Sequence, residues 1–165
     1  IELAPMLSEA WLGLGIIEDL EGRTREGIVL IEKALEFEPN NAGIMHVLAG
    51  AYEKISEFEL AKEFYKGSLE LNPHDEECLS DYIELLTEES PANAFEVLQN
   101  FIGEHKENRI AAVLKVNLYW LRGQKEEALH LFSKCLQENG QKAKSIFDIN
   151  PNLLDDQDFL NLSQD

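Results

Sequence analysis

Four side chains of metal-ligand type crowd together near the middle of the chain: His74, Asp75, Glu77 and Cys78. His74 and Cys78 are four apart, about one helical turn, the spacing at which two ligands can share a cation. The same residues have a simpler use. Asp75 directly precedes Glu76-Glu77, and an aspartate at an N-cap followed by acids suits the positive end of a helix. The expectation is that Asp75 caps a helix, that His74 is a loop residue, and that no metal binds. His46, His105 and His130 are scattered over other stretches. There is no glycine-rich phosphate loop, no nucleophile elbow and no paired zinc-ligand spacing. These residues point to a protein that is not an enzyme and uses no cofactor.

The acids around that cluster are a second candidate. From Asp75 to Glu89 there are seven acids and no base. Glu77, Asp81, Glu84 and Glu88 follow one another by four, three and four, which places them on one helical face, where like charges repel by a few tenths of a kcal/mol per pair. Such a face either points into open water and keeps the molecule soluble, or it meets a cation. Across the chain 14 basic residues stand against 32 acidic ones, for a net charge of −18. Nucleic acid, which calls for a basic stripe, is excluded on that count. Residues 109–147 reverse the sign, with seven bases and three acids.

What must position these side chains is a repeat. Residues 42–75 fall on residues 8–41 when shifted by 34, and Pro5, Pro39 and Pro73 keep the same interval. The closing phrases match as well: Leu-Glu-Phe-Glu-Pro at 35–39, Leu-Glu-Leu-Asn-Pro at 69–73, Ile-Glu-Leu-Ala-Pro at 1–5. A period in the thirties signals a stacked helical array. The first helix is expected from about Ser8 to Leu20, ended by Gly22, and the second from about Arg25 to Phe37, stopped by Pro39 with Asn40-Asn41 as the turn. Small residues recur in step (Gly15 with Ala49, Gly27 with Ala61, Ala34 with Ser68). Gly15 or Ala49 should face Gly27 or Ala61, so that paired helix axes approach within about 8–10 Å.

The period and these residues together resemble the tetratricopeptide repeat. Trp11, Leu14, Gly15, Gly27, Ala34 and Pro39 stand where that family has its W…LG…A…A…P pattern. Leu48, Ala49, Tyr52, Ala61, Tyr65 and Pro73 repeat the match. The resemblance covers nearly the whole chain and implies an all-α, right-handed α-solenoid of helix–turn–helix units with a concave peptide-binding face. Read with it, residues 1–7 are the end of a preceding, truncated repeat, and 8–41, 42–75, 76–108 and 109–140 are repeats one to four. Residues 141–165 are then capping helices, with Phe159, Leu160 and Leu162 closing the last repeat and Asp155 capping the last helix. The third repeat has a turn one residue short, at Ser90-Pro91, and Ile83 and Phe101 stand in small slots, so a changed stacking angle is expected there. In the fourth, Lys115 and Val116 replace the Leu-Gly pair.

In that family the concave face is lined by the inner side of each first helix. Carried across, the lining is Glu9, Leu12, Ile16 and Asp19, then His46, Gly50 and Glu53. It continues with Glu77, Ser80, Asp81, Glu84 and Glu88, and ends with Val113, Asn117 and Trp120. One branch of the family grips C-terminal carboxylates with lysine, arginine and asparagine at such places. Here glutamate, leucine, histidine and serine stand there, so that clamp is absent. The groove is therefore expected to take a basic, or mixed basic and apolar, protein or peptide segment. Leu12 and Ile16 have an alternative use against an upstream repeat, and Trp120 against the terminal helix. Two other roles stay open: self-association as a homo-oligomer, the basic fourth repeat meeting an acidic surface, and service as the regulatory or recruiting arm of a larger protein. Cys78 and Cys135 read as reduced packing residues, with a reducing, cytoplasmic compartment as the default. No stretch approaches the roughly 20 apolar residues of a membrane span.

Overall fold

A computed structural model describes residues 3–105 and 108–164. Eight helices carry the repeats, three antiparallel pairs among them: α1 (Leu3–Leu20) with α2 (Thr24–Phe37), α3 (Ala42–Lys54) with α4 (Phe58–Leu71), and α7 (Arg109–Leu121) with α8 (Lys125–Asn139). Between α4 and α7 the chain forms α5 (Glu76–Glu89) and α6 (Pro91–Glu104). A 3₁₀ turn (Gly140–Ser145), the short α9 (Ile146–Ile149), a second 3₁₀ turn (Pro151–Asp155) and α10 (Gln157–Gln164) complete the chain. Among the described residues there is no strand. The chain divides into two compact units, residues 1–82 and 83–165, the boundary falling within α5.

Local chemistry places the ends. Asn41, Asp75 and Asn108 each accept a hydrogen bond from the backbone N–H three residues on, at 3.1, 3.0 and 3.3 Å. They open α3, α5 and α7, the first two 34 residues apart and the third 33 further on. The corresponding position before α1 is Leu7, which has no acceptor to offer. This accounts for a difference from the sequence expectation: α1 does not start at Ser8 but runs back unbroken to Leu3. Pro5 lies within its first turn, where the missing N–H has no intrahelical partner to lose. Ser90 caps α6, accepting from the Asn93 N–H at 3.3 Å, with Pro91 at the first helical position.

Within the three pairs the turn is the same device. Gly22, Ser56 and Gly123 have φ of 83°, 64° and 74°. The next residue donates back to the carbonyl five positions earlier: Arg23 to Glu18 at 2.9 Å, Glu57 to Tyr52 at 3.0 Å, Gln124 to Tyr119 at 2.9 Å. The last helical carbonyls are thereby satisfied. Ser56 performs this with a side chain that the left-handed region disfavours.

In the first unit, α1 and α2 pack backbone to backbone. A Cβ on Gly15 would lie 2.9 Å from the Gly27 carbonyl oxygen, and one on Gly27 would lie 2.7 Å from that of Gly15. The expected facing of small residues holds for this pair. Ala49 and Ala61 are fully buried. Ile28, Ile31, Ala34, Ile44, Leu48 and Ala51 form the core, with Trp11, Leu12 and Phe64 packed against it. The apolar residues of α1 cover more than one face, so Leu14, Ile17 and Leu20 stay exposed, as do Phe58 and Leu60 on α4. Ser68 occupies the slot of Ala34 and donates to the Ala42 carbonyl at 2.9 Å, so its buried hydroxyl is satisfied.

The core of the second unit gathers Val113 and Val116 of α7, Ala128, Phe132 and Cys135 of α8, and Ala143, Ile146, Leu153 and Phe159 of the C-terminal segment. Phe132 and Phe159 are fully buried, with ring centroids 5.2 Å apart. The last helix is capped by Asp156, not by Asp155 as its sequence suggested. Asp156 accepts from the Asp158 N–H at 3.0 Å and the Phe159 N–H at 3.4 Å. Asp155 is taken up by the preceding 3₁₀ turn, which Pro151 starts.

Candidate peptide-binding surface

His46, Gly50 and Glu53 follow one another by four and three on α3 and so share a face. In the first unit this face meets the beginning of α5. His46 Nε2 lies 2.7 Å from Asp81 Oδ2, joining residues 35 apart in the chain. The imidazole also lies against Tyr65 of α4, with ring centroids 5.8 Å apart, and Tyr65 stacks on toward Tyr82 at 6.0 Å. Tyr65 is only 2% exposed, and its hydroxyl donates to Glu53 Oε2 at 2.8 Å. Gly50 faces that hydroxyl, and a Cβ there would meet it at an ordinary van der Waals distance of 3.8 Å.

The electrostatics follow from this geometry. The hydrogen bond to the Asp81 carboxylate raises the His46 pKa above its ordinary value, outweighing the burial that opposes it, with Asp75 and Glu77 adding to the rise. Burial, and then the carboxylate of Glu53, push the Tyr65 hydroxyl far above the usual phenol range. Asp81 keeps 40% of its side chain in solvent against 17% for His46. It is therefore a part-exposed carboxylate hydrogen-bonded to an imidazole.

The other residues expected in the groove divide into two sets. Glu9 and Glu77 are exposed on the first unit, and Glu84 and Glu88 lie exposed further along α5 in the second. Ser80 turns its hydroxyl to the Glu76 carbonyl of its own helix at 2.9 Å. Leu12 packs against the core of the first unit, and Ile16 is half-buried. Asp19 accepts from Thr24 at 2.8 Å and pairs with Lys54.

In the second unit the chain's own C-terminal segment occupies the expected inner positions of α7. Asn117 accepts from Asn150 Nδ2 at 2.8 Å, and Trp120 meets Phe159 edge-on at 5.5 Å. Val113 lies in the same core. The alternative use of Trp120, against the terminal helix, is the one the structure shows. Lys125 draws that segment in, pairing with Asp156 at 2.7 Å and Asp158 at 2.6 Å. The spacing of α7 alone shows which residues share its inner face, but it carries no signal of what covers them.

The residues of metal-ligand type at the start of α5 are drawn apart. Asp75 is the cap, His74 is exposed, and Cys78 is buried, its sulfur 3.8 Å from the Tyr65 carbonyl. Burial pushes the Cys78 thiol up to about 11. Among the described residues no three His, Cys, Asp or Glu side chains are placed to hold a metal ion. Both cysteines are free and buried.

Paired antiparallel helices at a 34-residue period, with small residues at the helix contacts, define a helical-repeat protein of the α-solenoid class. Residues 42–75 match the family model of the tetratricopeptide repeat. Among curated proteins none matches it. Solved structures share the fold at low identity. Pilf of Pseudomonas aeruginosa is 19% identical at a TM-score of 0.64, over 98% of this chain and 77% of that one. A tetratricopeptide repeat protein from Parabacteroides merdae is 19% identical at 0.66, over 96% and 63%. YrrB, described as a tetratricopeptide-repeat protein with an unusual peptide-binding site, is 15% identical at 0.57, over 92% and 80%.

Proposed function

We propose that this chain is a non-catalytic scaffold that binds a protein or peptide partner along the inner faces of its first helices, and that the bound segment is basic or mixed basic and apolar. The observation that carries this reading is Asp81, a half-exposed carboxylate that holds the His46 imidazole at 2.7 Å, with exposed Glu77 on the same face of α5. A lysine or arginine of a partner is the stronger cation of the same kind. Tetratricopeptide arrays offer helical faces rather than catalytic clefts, and YrrB supports peptide binding as a use of such a fold. Val113, Asn117 and Trp120 are engaged by the C-terminal segment and are left out of the binding set. Among the described residues no helix is long and apolar enough to cross a membrane.

Groove–peptide contacts of this size give micromolar affinity, about −8 kcal/mol. Rim charges act mostly on association rate and salt dependence, with apolar contacts supplying much of the hold. The test is fluorescence anisotropy with a labelled peptide of alternating lysine and leucine, at low and at high salt. Changing Glu77 and Glu88 to lysine should weaken binding steeply at low salt and little at high salt. These positions are preferred to Asp81, whose reversal would also break the pair with His46. Wild-type affinity at low salt in the double variant would make the acidic stripe a solvated face and nothing more.

A further inference from the structure

On the α6–α7 side of the second unit two cations stand together over aromatic rings. Lys115 on α7 and Arg122, the residue that caps its C-terminus, are seven apart, two turns or about 10 Å along the axis. The Arg122 guanidinium lies 4.4 Å from the centroid of the Phe95 ring. Lys115 Nζ lies 5.6 Å from that ring and 5.7 Å from the ring of Tyr119. The two rings pack against each other with centroids 5.1 Å apart at 60°. Lys115 also donates to the Gln99 side chain.

Among the described residues neither Lys115 nor Arg122 is ion-paired with a carboxylate. In a chain with 32 acids and 14 bases that is the reverse of what composition favours. Lys125, on the neighbouring helix, has two carboxylates. Lys115 is partly buried, and that burial alone lowers its pKa, with no neighbouring charge to offset it. Aromatic faces hold the two cations in place at modest gain, about 0.5–1 kcal/mol each at exposed sites, and leave their charge uncompensated. These residues lie roughly half a turn around α7 from Val113, Asn117 and Trp120, so this face is distinct from the inner one.

We propose that this face binds a short acidic segment of a partner protein, two carboxylates meeting Lys115 and Arg122 and an apolar side chain between them resting on Phe95 and Tyr119. Charge complementarity selects the occupant. A cation that is partly desolvated and lacks a counter-charge gains most from a carboxylate, and charge-assisted hydrogen bonds are roughly twice as strong as neutral ones. Lys115 Nζ and the Arg122 guanidinium both lie over the Phe95 ring, where carboxylates three residues apart on a polyproline-II segment can meet them, because three residues per turn bring i and i+3 to one face. Long polyanions and a second copy of the chain are disfavoured, because each brings a large negative charge toward a molecule of net −18. The proposal stands apart from the basic-ligand reading, since it uses other residues and the opposite charge.

The experiment is an amide chemical-shift titration of the whole chain with the blocked peptide Glu-Leu-Leu-Glu at low salt. Gln-Leu-Leu-Gln and inorganic phosphate are the controls. The expected result is saturable shifts confined to α6 and α7. Binding should weaken about tenfold for the glutamine peptide and about tenfold in Lys115→Gln/Arg122→Gln, and it should fade with salt. Arg122→Gln alone, at an exposed helix end, keeps the test open should the double variant fold poorly. Unchanged affinity in the variants, equal binding of the glutamine peptide, or shifts elsewhere would overturn the proposal. So would the same shifts with phosphate, which would mean a bare anion site, or loss of self-association in the double variant without any peptide binding.

Discussion

Two glycines in the α1–α2 pair should respond to alanine with opposite sign. Gly13 lies on α1, and a Cβ there would meet nothing within 4 Å. Gly27 lies on α2, where a Cβ would sit 2.7 Å from the Gly15 carbonyl oxygen and 3.2 Å from the Asp19 nitrogen. Both substitutions gain the helix propensity of alanine over glycine, about 0.8–1.0 kcal/mol. Gly13→Ala should therefore stabilise by about that amount. At Gly27 the opposing atoms are backbone on both sides, and no rotamer change can relieve the contact. Overpacking costs about 1–3 kcal/mol, and a backbone clash belongs in the upper half of that range. The net effect of Gly27→Ala should be a loss of about 1–2 kcal/mol. Because the propensity gain is common to both, the difference between the variants isolates the packing cost of the close helix approach. Urea unfolding followed by tryptophan emission measures it, in a Trp120→Phe background that leaves Trp11 of α1 as the reporter. A unit of this size shifts in melting temperature by about 4–8 °C per kcal/mol. If Gly27→Ala proves as stabilising as Gly13→Ala, the helices do not touch backbone to backbone and the reasoning fails.

Ser56→Gly should stabilise the protein by up to about 1 kcal/mol. A left-handed serine costs about 1–2 kcal/mol, and glycine gives part of that back through its freer unfolded chain; a lower denaturation midpoint would contradict this. Phe159→Ala should cost about 3–5 kcal/mol, since the ring is fully buried between Phe132 and Trp120, and the emission of Trp120 should report the loss. An unchanged unfolding curve would remove α10 from the core. The His46–Asp81 pair sets a pH dependence with a definite sign. Because the folded His46 pKa is raised above its ordinary value of 6.5, the stabilisation is fully present below that pH and fades as pH climbs through the folded value. Asp81 is partly exposed, so the pair is worth no more than about 1 kcal/mol. The stability advantage of wild type over His46→Gln should shrink from about pH 6 to pH 8; an advantage that grows with pH would refute the pairing.

The parts of this fold that sequence alone determined rest on short-range physics. The 34-residue period, the cap at Asp75, the Ser90-Pro91 start of α6 and the turn at Gly22 depend on backbone groups within a few residues. The facing of Gly15 and Gly27 follows from the period itself, because paired helices of fixed length must cross where both are thin. Leu7 at the cap position marks the early start of α1 in hindsight, and only the period read back from Asn41 makes it legible. Long-range partners were another matter. The inner positions of α7 could be named from spacing, but the C-terminal segment that covers Asn117 and Trp120 arrives through two 3₁₀ turns whose path no periodicity sets. His46 and Asp81 could be placed on neighbouring faces, yet their meeting at 2.7 Å depends on how α3 and the start of α5 pack, which spacing does not set. The cations over Phe95 and Tyr119 stood in the sequence only as a local change of charge sign. Tertiary structure decided which of those bases found carboxylates and which were left on aromatic rings, because pairing depends on distances of a few ångströms that the repeat does not specify.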